Sequence, residues 1–181
     1  VDEAGRGPLA GPVCAAAVIL APGQIIDGVN DSKKLTEKKR EILFDKIISE
    51  CEDYSIAYAS EKEIDEMNIL QATFLAMRRA VNGLKTKPDI AFVDGNQDPK
   101  FAEIPSETII KGDAHSASIA AASILAKVSR DRLMLEAAEK YPEYFFEKHK
   151  GYGTKLHYEM IEQYGICEIH RKSFLKKVLN K

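Results

Sequence analysis

The sequence predicts an α/β protein, a mixed five-stranded sheet flanked by helices, with a helical C-terminal extension over about residues 140–181. Three observations carry this prediction. A short apolar run from Cys14 to Leu20 is closed by Ala21-Pro22-Gly23, and reads as a strand pairing antiparallel with the segment that leads into Asp2. Two further apolar segments, at 89–93 and 108–110, each run into an acidic residue, Asp94 and Asp113. From about Ser116 to Lys140 the chain is rich in Ala and Ser, whose small side chains let a helix lie close against a sheet. No repeat, low-complexity stretch or Gly/Ser linker interrupts the sequence, so residues 1–181 read as one domain.

The remaining elements follow in order. Thr36 is placed to cap a helix in which Arg40, Leu43, Phe44, Ile47, Ile48 and Cys51 recur at three- and four-residue spacing, giving one buried face. Asp53 to Ser60 alternates Tyr54, Ile56 and Tyr58 with smaller residues, as a half-buried strand does. Ser60-x-x-Glu63 and Asn68-x-x-Gln71 have the form of capping boxes and predict a short helix followed by a longer one ending at Gly83. Two strands that deliver acids, each with a helix before or after it, imply parallel βα units beside the earlier antiparallel strands.

Composition bounds the function. At 181 residues and 45% hydrophobic content the chain is long enough for a well-packed core. No apolar run approaches the ~20 residues of a membrane span, and the N-terminus lacks the basic-then-apolar order of a signal peptide, so the expected location is the cytoplasm. Val1 directly before Asp2 leaves almost no strand upstream, and further N-terminal residues are expected. Cys14, Cys51 and Cys167 lack the spacing of a disulfide framework or a zinc site, and are expected to be reduced packing residues. His115, His149, His157 and His170 are scattered, with no ligand-pair spacing, and are assigned no chemistry. A formal net charge of −2 does not advertise a nucleic-acid binder, although nine Lys or Arg against five Glu from Lys140 to Lys181 leave room for a one-sided basic patch.

The chemistry is written in carboxylates. In open α/β sheets ligands bind beyond the carboxyl ends of the strands, where Asp2, Glu3 and Asp94 all fall, with Asp113 joining just before the long helix. Four converging acids repel one another, so the arrangement makes sense with divalent metal to compensate the charge, and without it the carboxylate pKa values should rise. Asp131 is excluded as a ligand. On a continuous helix it lies fifteen residues, roughly 22 Å, from the helix start, and reads as a surface or helix-pairing charge. An all-oxygen donor set selects Mg²⁺ or Mn²⁺, and a two-metal site about 4 Å across can drive in-line hydrolysis of a phosphodiester, leaving 3′-hydroxyl and 5′-phosphate ends. Gly5-Arg6-Gly7 offers backbone groups able to approach a ribose 2′-hydroxyl, while Arg6 can hold a phosphate. Ser32, Lys33 and Lys34 in a loop leading to a helix form a candidate phosphate cradle. Lys127 and His170-Arg171-Lys172 are further candidates for contacts to a nucleic-acid backbone.

The stretch D-E-A-G-R-G-P-L-A-G-P-V from Asp2 to Val13 closely resembles the N-terminal signature of type 2 ribonucleases H, specifically bacterial ribonuclease HII. Further blocks match in the same order: D-S-K-K-L at Asp31, V-D-G at Val93, K-G-D at Lys111, S-I-A-A-A-S-I-L-A-K-V at Ser118, G-Y-G-T at Gly151 and H-R-K-S-F at His170. The resemblance implies a ribonuclease H-like fold and an endonuclease acting on the RNA strand of RNA–DNA hybrids and 5′ of single ribonucleotides in duplex DNA. It implies roles in primer removal and ribonucleotide repair, and a monomer as the working unit. It also implies that the Gly5-Arg6-Gly7 turn contacts the ribonucleotide beside the junction and that Tyr152 stacks on the following deoxyribose. Two rivals stand beside it: a ribonuclease HIII-like enzyme, whose extra N-terminal domain has no room here, and a non-catalytic nucleic-acid- or cation-binding module on the same fold.

Overall fold

The computed structural model describes residues 1–29 and 35–179. Among these, strand β1 (Asp2–Ala4) pairs antiparallel with β2 (Val13–Ile19), and β2 pairs antiparallel with β3 (Asp53–Ala59). Strands β4 (Ala91–Asp94) and β5 (Ser106–Ile109) form a parallel pair. Val1 joins the two sets: its nitrogen donates to the Phe92 carbonyl at 2.7 Å, and its carbonyl accepts from Asp94 N at 3.0 Å. That is the ladder of a parallel pair, which sets Val1 beside Val93 and Asp2 beside Asp94. The expected mixed arrangement is therefore met in the order β3-β2-β1-β4-β5, although regular pairing covers only three strands plus two.

Strand β2 is buried on both faces, and its alternation divides the core. Val13, Ala15 and Ala17 face helix α3 (Ile69–Asn82), meeting Ala72, Ala76, Met77 and Ala80. Cys14, Ala16 and Val18 face helices α1 (Glu37–Glu50) and α5 (Ala117–Lys140), meeting Phe44, Ile47, Ala121, Ile124 and Leu125. The alanines on both sides let helix and strand approach closely, as the composition of α5 predicts. Burial pushes the Cys14 thiol up to about 12, so it packs as an inert residue.

The caps fall where the sequence sets them. The Thr36 hydroxyl accepts from Lys39 N at the start of α1, and Ser60 forms a reciprocal capping box with Glu63 at the start of α2 (Glu61–Met67). Asn68 caps α3 by accepting from Leu70 N and Gln71 N, without a return bond from Gln71. A one-turn helix α4 (Gly112–His115) follows β5 and holds Asp113, and Ser116 caps the 24-residue α5. The extension past residue 140 is helical as expected, with α6 (Phe146–His149), α7 (Lys155–Tyr164), α8 (Lys176–Leu179) and two 3₁₀ turns. It packs on its own apolar cluster of Leu9, Ala10, Met134, Phe146, Ile161 and Leu175. Among the described residues no helix is long and apolar enough to cross a membrane.

Candidate active site

The ladder through Val1 gathers the acids. Asp2 and Glu3 lie within β1 as its first two residues and not beyond its carboxyl end as expected, Asp94 ends the neighbouring β4, and the Asp94 carboxylate accepts from Gly112 N at 2.7 Å, which brings the residue before Asp113 against it. Asp2 and Asp113 are both buried. Burial, then the charges of Glu3 and Asp94, hold the Asp2 carboxyl well above the usual carboxylate range. Glu3 is raised chiefly by burial and further by Asp94, an effect its Arg6 neighbour partly offsets. Desolvation is thus the larger cause of both rises, and the mutual repulsion of the acids adds to it. Among the described residues, no three carboxylate, imidazole or thiol groups stand as placed in metal-binding geometry.

Beside the acids runs the Gly5-Arg6-Gly7 turn. Gly5 adopts φ +93°, and a Cβ there would collide with the Arg130 side chain, so both conformation and space require glycine. The Arg6 side chain is half exposed and lies 3.6 Å from Glu3. Behind the turn sit two buried guanidinium groups. Arg171 donates to the carbonyls of Gly11 at 2.8 Å, Arg6 at 2.9 Å and Gly5 at 2.6 Å. Arg130 donates to those of Pro12 at 3.1 Å, Lys150 at 3.0 Å and Ala10 at 3.0 Å. Six carbonyls from three chain segments thus converge on two planar forks, a geometry that lysine cannot supply. Burial and the nearby Arg130 push Arg171 down to about 9, leaving it protonated at neutral pH.

Tyr152 is 42% exposed. A Cβ on Gly7 would lie 3.8 Å from the Tyr152 ring, which places the aromatic face directly beside the turn. Lys127 Nζ and Arg130 Cζ stand 6.0 and 5.8 Å from the ring centroid.

The structure thus brings Asp2, Glu3 and Asp94 within electrostatic reach of one another and sets Gly112, the residue before Asp113, against Asp94, with Gly5, Arg6, Gly7 and Tyr152 alongside. Ser32 and Lys33, with Asp31 and Lys34, lie outside the described residues. Three further sequence expectations are corrected. Asp131 is a helix-pairing charge but not a surface one: it is buried and bonds Lys127 at 2.7 Å. Arg171 is fully buried with all its nitrogens engaged internally, so it supports the turn and does not face a phosphate. The histidines are not all scattered: His115 is exposed, but His149, His157 and His170 form one buried cluster. Sequence reasoning gave Arg130 no role, because it stands in the charged stretch Lys127 to Arg132, where an arginine carries no signal of burial. Gly112 was legible only as part of the Lys-Gly-Asp block.

A family model described as Ribonuclease HII matches residues 1–177. The Ribonuclease HII of Caldicellulosiruptor bescii is 61% identical over 180 residues, covering 99% of this chain and 87% of that protein. Among solved structures, the ribonuclease H2 from Pyrococcus horikoshii OT3 matches with a TM-score of 0.81 at 32% identity, over 99% of this chain and 97% of that one. A chain of the PCNA:RNase HII complex from Archaeoglobus fulgidus matches with a TM-score of 0.75 at 28% identity, over 99% and 93%. The common architecture is the ribonuclease H-like fold.

Proposed function

The chain belongs to the ribonuclease HII family, and on that premise we propose a metal-dependent ribonuclease H endonuclease that cuts the RNA strand of RNA–DNA hybrids and nicks 5′ of single ribonucleotides embedded in duplex DNA. The observation that carries the reading is the Val1 ladder, which sets the Asp2 and Asp94 carboxyl groups on neighbouring strand ends with Glu3 and the Asp113 turn against them. Asp2, Glu3, Asp94 and Asp113 would hold the ions. Their hard oxygen donors suit Mg²⁺ or Mn²⁺, and a cation there would offset both the burial and the mutual repulsion that raise Asp2 and Glu3. When bound, a pair of such ions supplies an activated water and stabilises the departing 3′-oxygen.

The chain's own residues supply position. Gly112 N fixes one oxygen of Asp94 and leaves the other for the site. The two buried arginines hold the turn rigid from behind, so that its N–H groups and the Arg6 side chain meet the ribonucleotide without reorganising. The Tyr152 ring covers the sugar on the far side of the scissile bond, giving preference for an RNA–DNA junction. In this reading residues 1–181 act as one monomeric domain in the cytoplasm, with the segment after residue 140 as substrate-binding extension and duplex nucleic acid as partner.

The test is a duplex carrying one ribonucleotide, incubated with Mg²⁺, with Mn²⁺ and with chelator, beside a long RNA–DNA hybrid. Metal-dependent cleavage leaving 3′-hydroxyl and 5′-phosphate ends is expected on both. Duplex binding with no cleavage under any metal would replace the enzyme by a binding module.

A further inference from the structure

The histidine cluster has no part in the carboxylate chemistry, yet it is wired to the substrate-facing loop. His157 Nδ1 lies 2.9 Å from the Tyr152 carbonyl, His157 Nε2 lies 3.0 Å from His170 Nε2, and Cys167 N lies 2.9 Å from His170 Nδ1. The ends of this chain fix every proton in it. A carbonyl only accepts, so His157 carries its proton on Nδ1; a backbone N–H only donates, so His170 Nδ1 is bare. His170 Nε2–H therefore donates to His157 Nε2. His149, stacked on His157 with ring centroids 4.4 Å apart, donates from Nε2 to the Tyr144 carbonyl and accepts from Gly151 N on Nδ1. The cluster thus grips the backbone on both sides of the Gly151–Tyr152 peptide, whose side chain stands against Gly7.

We infer that His157 and His170 are positioning residues: their single allowed proton arrangement holds the Tyr152 carbonyl and thereby sets the Tyr152 ring at a fixed distance from the Gly5-Arg6-Gly7 turn. The coupling runs through one segment, because the residue after His170 is Arg171, which holds the Gly5 and Arg6 carbonyls, and Arg171 N donates to Leu9 O at 2.8 Å. One stretch of backbone therefore clamps both substrate-reading elements. Burial, helped by His149 beside His157 and by His157 beside His170, pushes both histidines down to about 4, so the neutral relay persists across the physiological range.

The inference rests on Tyr152 contacting substrate, and the experiment separates the two. His157→Asn keeps an amide donor near the Nδ1 position, whereas His157→Gln places its amide at the Nε2 position and leaves the Tyr152 carbonyl without that donor. At a lone ribonucleotide kcat/KM should fall about tenfold in His157→Gln and stay within about threefold in His157→Asn, the scale at which sub-ångström misplacement acts. In a Tyr152→Ala background His157→Gln should cause no further loss, since the ring it positions is gone; a packing role would give the same loss in both backgrounds. A damaging Tyr152→Ala beside a harmless His157→Gln overturns the positioning role alone, while a harmless Tyr152→Ala overturns the substrate contact and the positioning role with it. Should His157→Gln not fold, nitrogen-15 NMR of the native protein decides: His157 protonated on Nδ1 and His170 on Nε2 are expected, and any other pair of tautomers overturns the relay.

Discussion

Replacing Asp94 by Asn removes one charge from the carboxylate cluster while preserving its local structure, because the Asn side-chain oxygen can still accept from Gly112 N. The size of the electrostatic effect follows from the ladder. Asp2 and Asp94 are lateral neighbours on adjacent strands, which are spaced about 4.8 Å apart. Two full charges about 5 Å apart at an effective dielectric constant of about 20 repel by about 3 kcal/mol. Burial, which comes before the charges of Glu3 and Asp94 in raising Asp2, disfavours its charged form and shrinks the repulsion available for relief, so the metal-free variant should gain about 1 kcal/mol. For a chain of this size that is a rise in Tm of about 2–4 °C in chelator. Added Mg²⁺ should stabilise the native protein and stabilise the variant less. Single-turnover cleavage of a duplex with one ribonucleotide should fall about a thousandfold, corresponding to about 4 kcal/mol of lost transition-state stabilisation. Thermal melts with and without Mg²⁺, paired with that rate, make the test. Near-normal turnover would remove Asp94 from the chemistry, and a Tm lowered by several degrees in chelator would make its carboxylate a structural group.

Three further outcomes are expected. Gly5→Ala imposes positive φ on a side-chain residue and drives its Cβ into Arg130, so a loss of about 3 kcal/mol or more should appear in denaturant unfolding; an unchanged midpoint would contradict the packing behind the turn. Arg171→Lys replaces a fork serving three carbonyls by a single ammonium group and should cost about 2–4 kcal/mol, with incision falling further than hybrid binding; equal falls would argue against a role in shaping the turn. Acid should destabilise the fold through the histidines. Because His157 and His170 titrate lower in the folded protein, the unfolded chain binds the extra protons, and their contribution is lost as pH drops from 6.5 towards about 4, on the order of 3 kcal/mol for each ring taken alone. Protonation of the raised Asp2 and Glu3 acts in the opposite direction over part of this range, so the measure is a difference: His157→Phe should flatten the stability–pH slope by about 1.4 kcal/mol per pH unit. Parallel curves for the two proteins would refute the neutral buried pair.

Much of the fold was legible because its signals are local. Thr36, Ser60 and Asn68 announce helix starts through side-chain oxygens that reach amides two or three residues on, and all three cap, although Asn68 lacks the reciprocal bond of the expected capping box; Ser116, read only as the start of the long helix, caps it as well. The two-sided burial of β2 and the close approach of α5 are written in runs of small apolar residues. Asp94 was legible because a strand end delivers its side chain to the rim of a sheet and Val-Asp-Gly marks such an end; Asp2 and Glu3, which open β1, and Asp113, held in α4, do not follow that rule.

The order of elements and the candidate acids, all of them oxygen donors, can be read along the chain. Only the tertiary structure decided which charged residues face solvent. Arg130 carried no reading and Arg171 read as a contact to a nucleic-acid backbone, since arginines are mostly exposed, but folding brings carbonyls from residues 5–12 and 150 around them, up to 166 positions away in the chain. His149, His157 and His170 lack ligand-pair spacing, yet the helical extension stacks them into one relay. Both arrangements depend on hydrogen bonds between groups remote in sequence, and a linear pattern carries no record of which distant carbonyl will satisfy a buried donor.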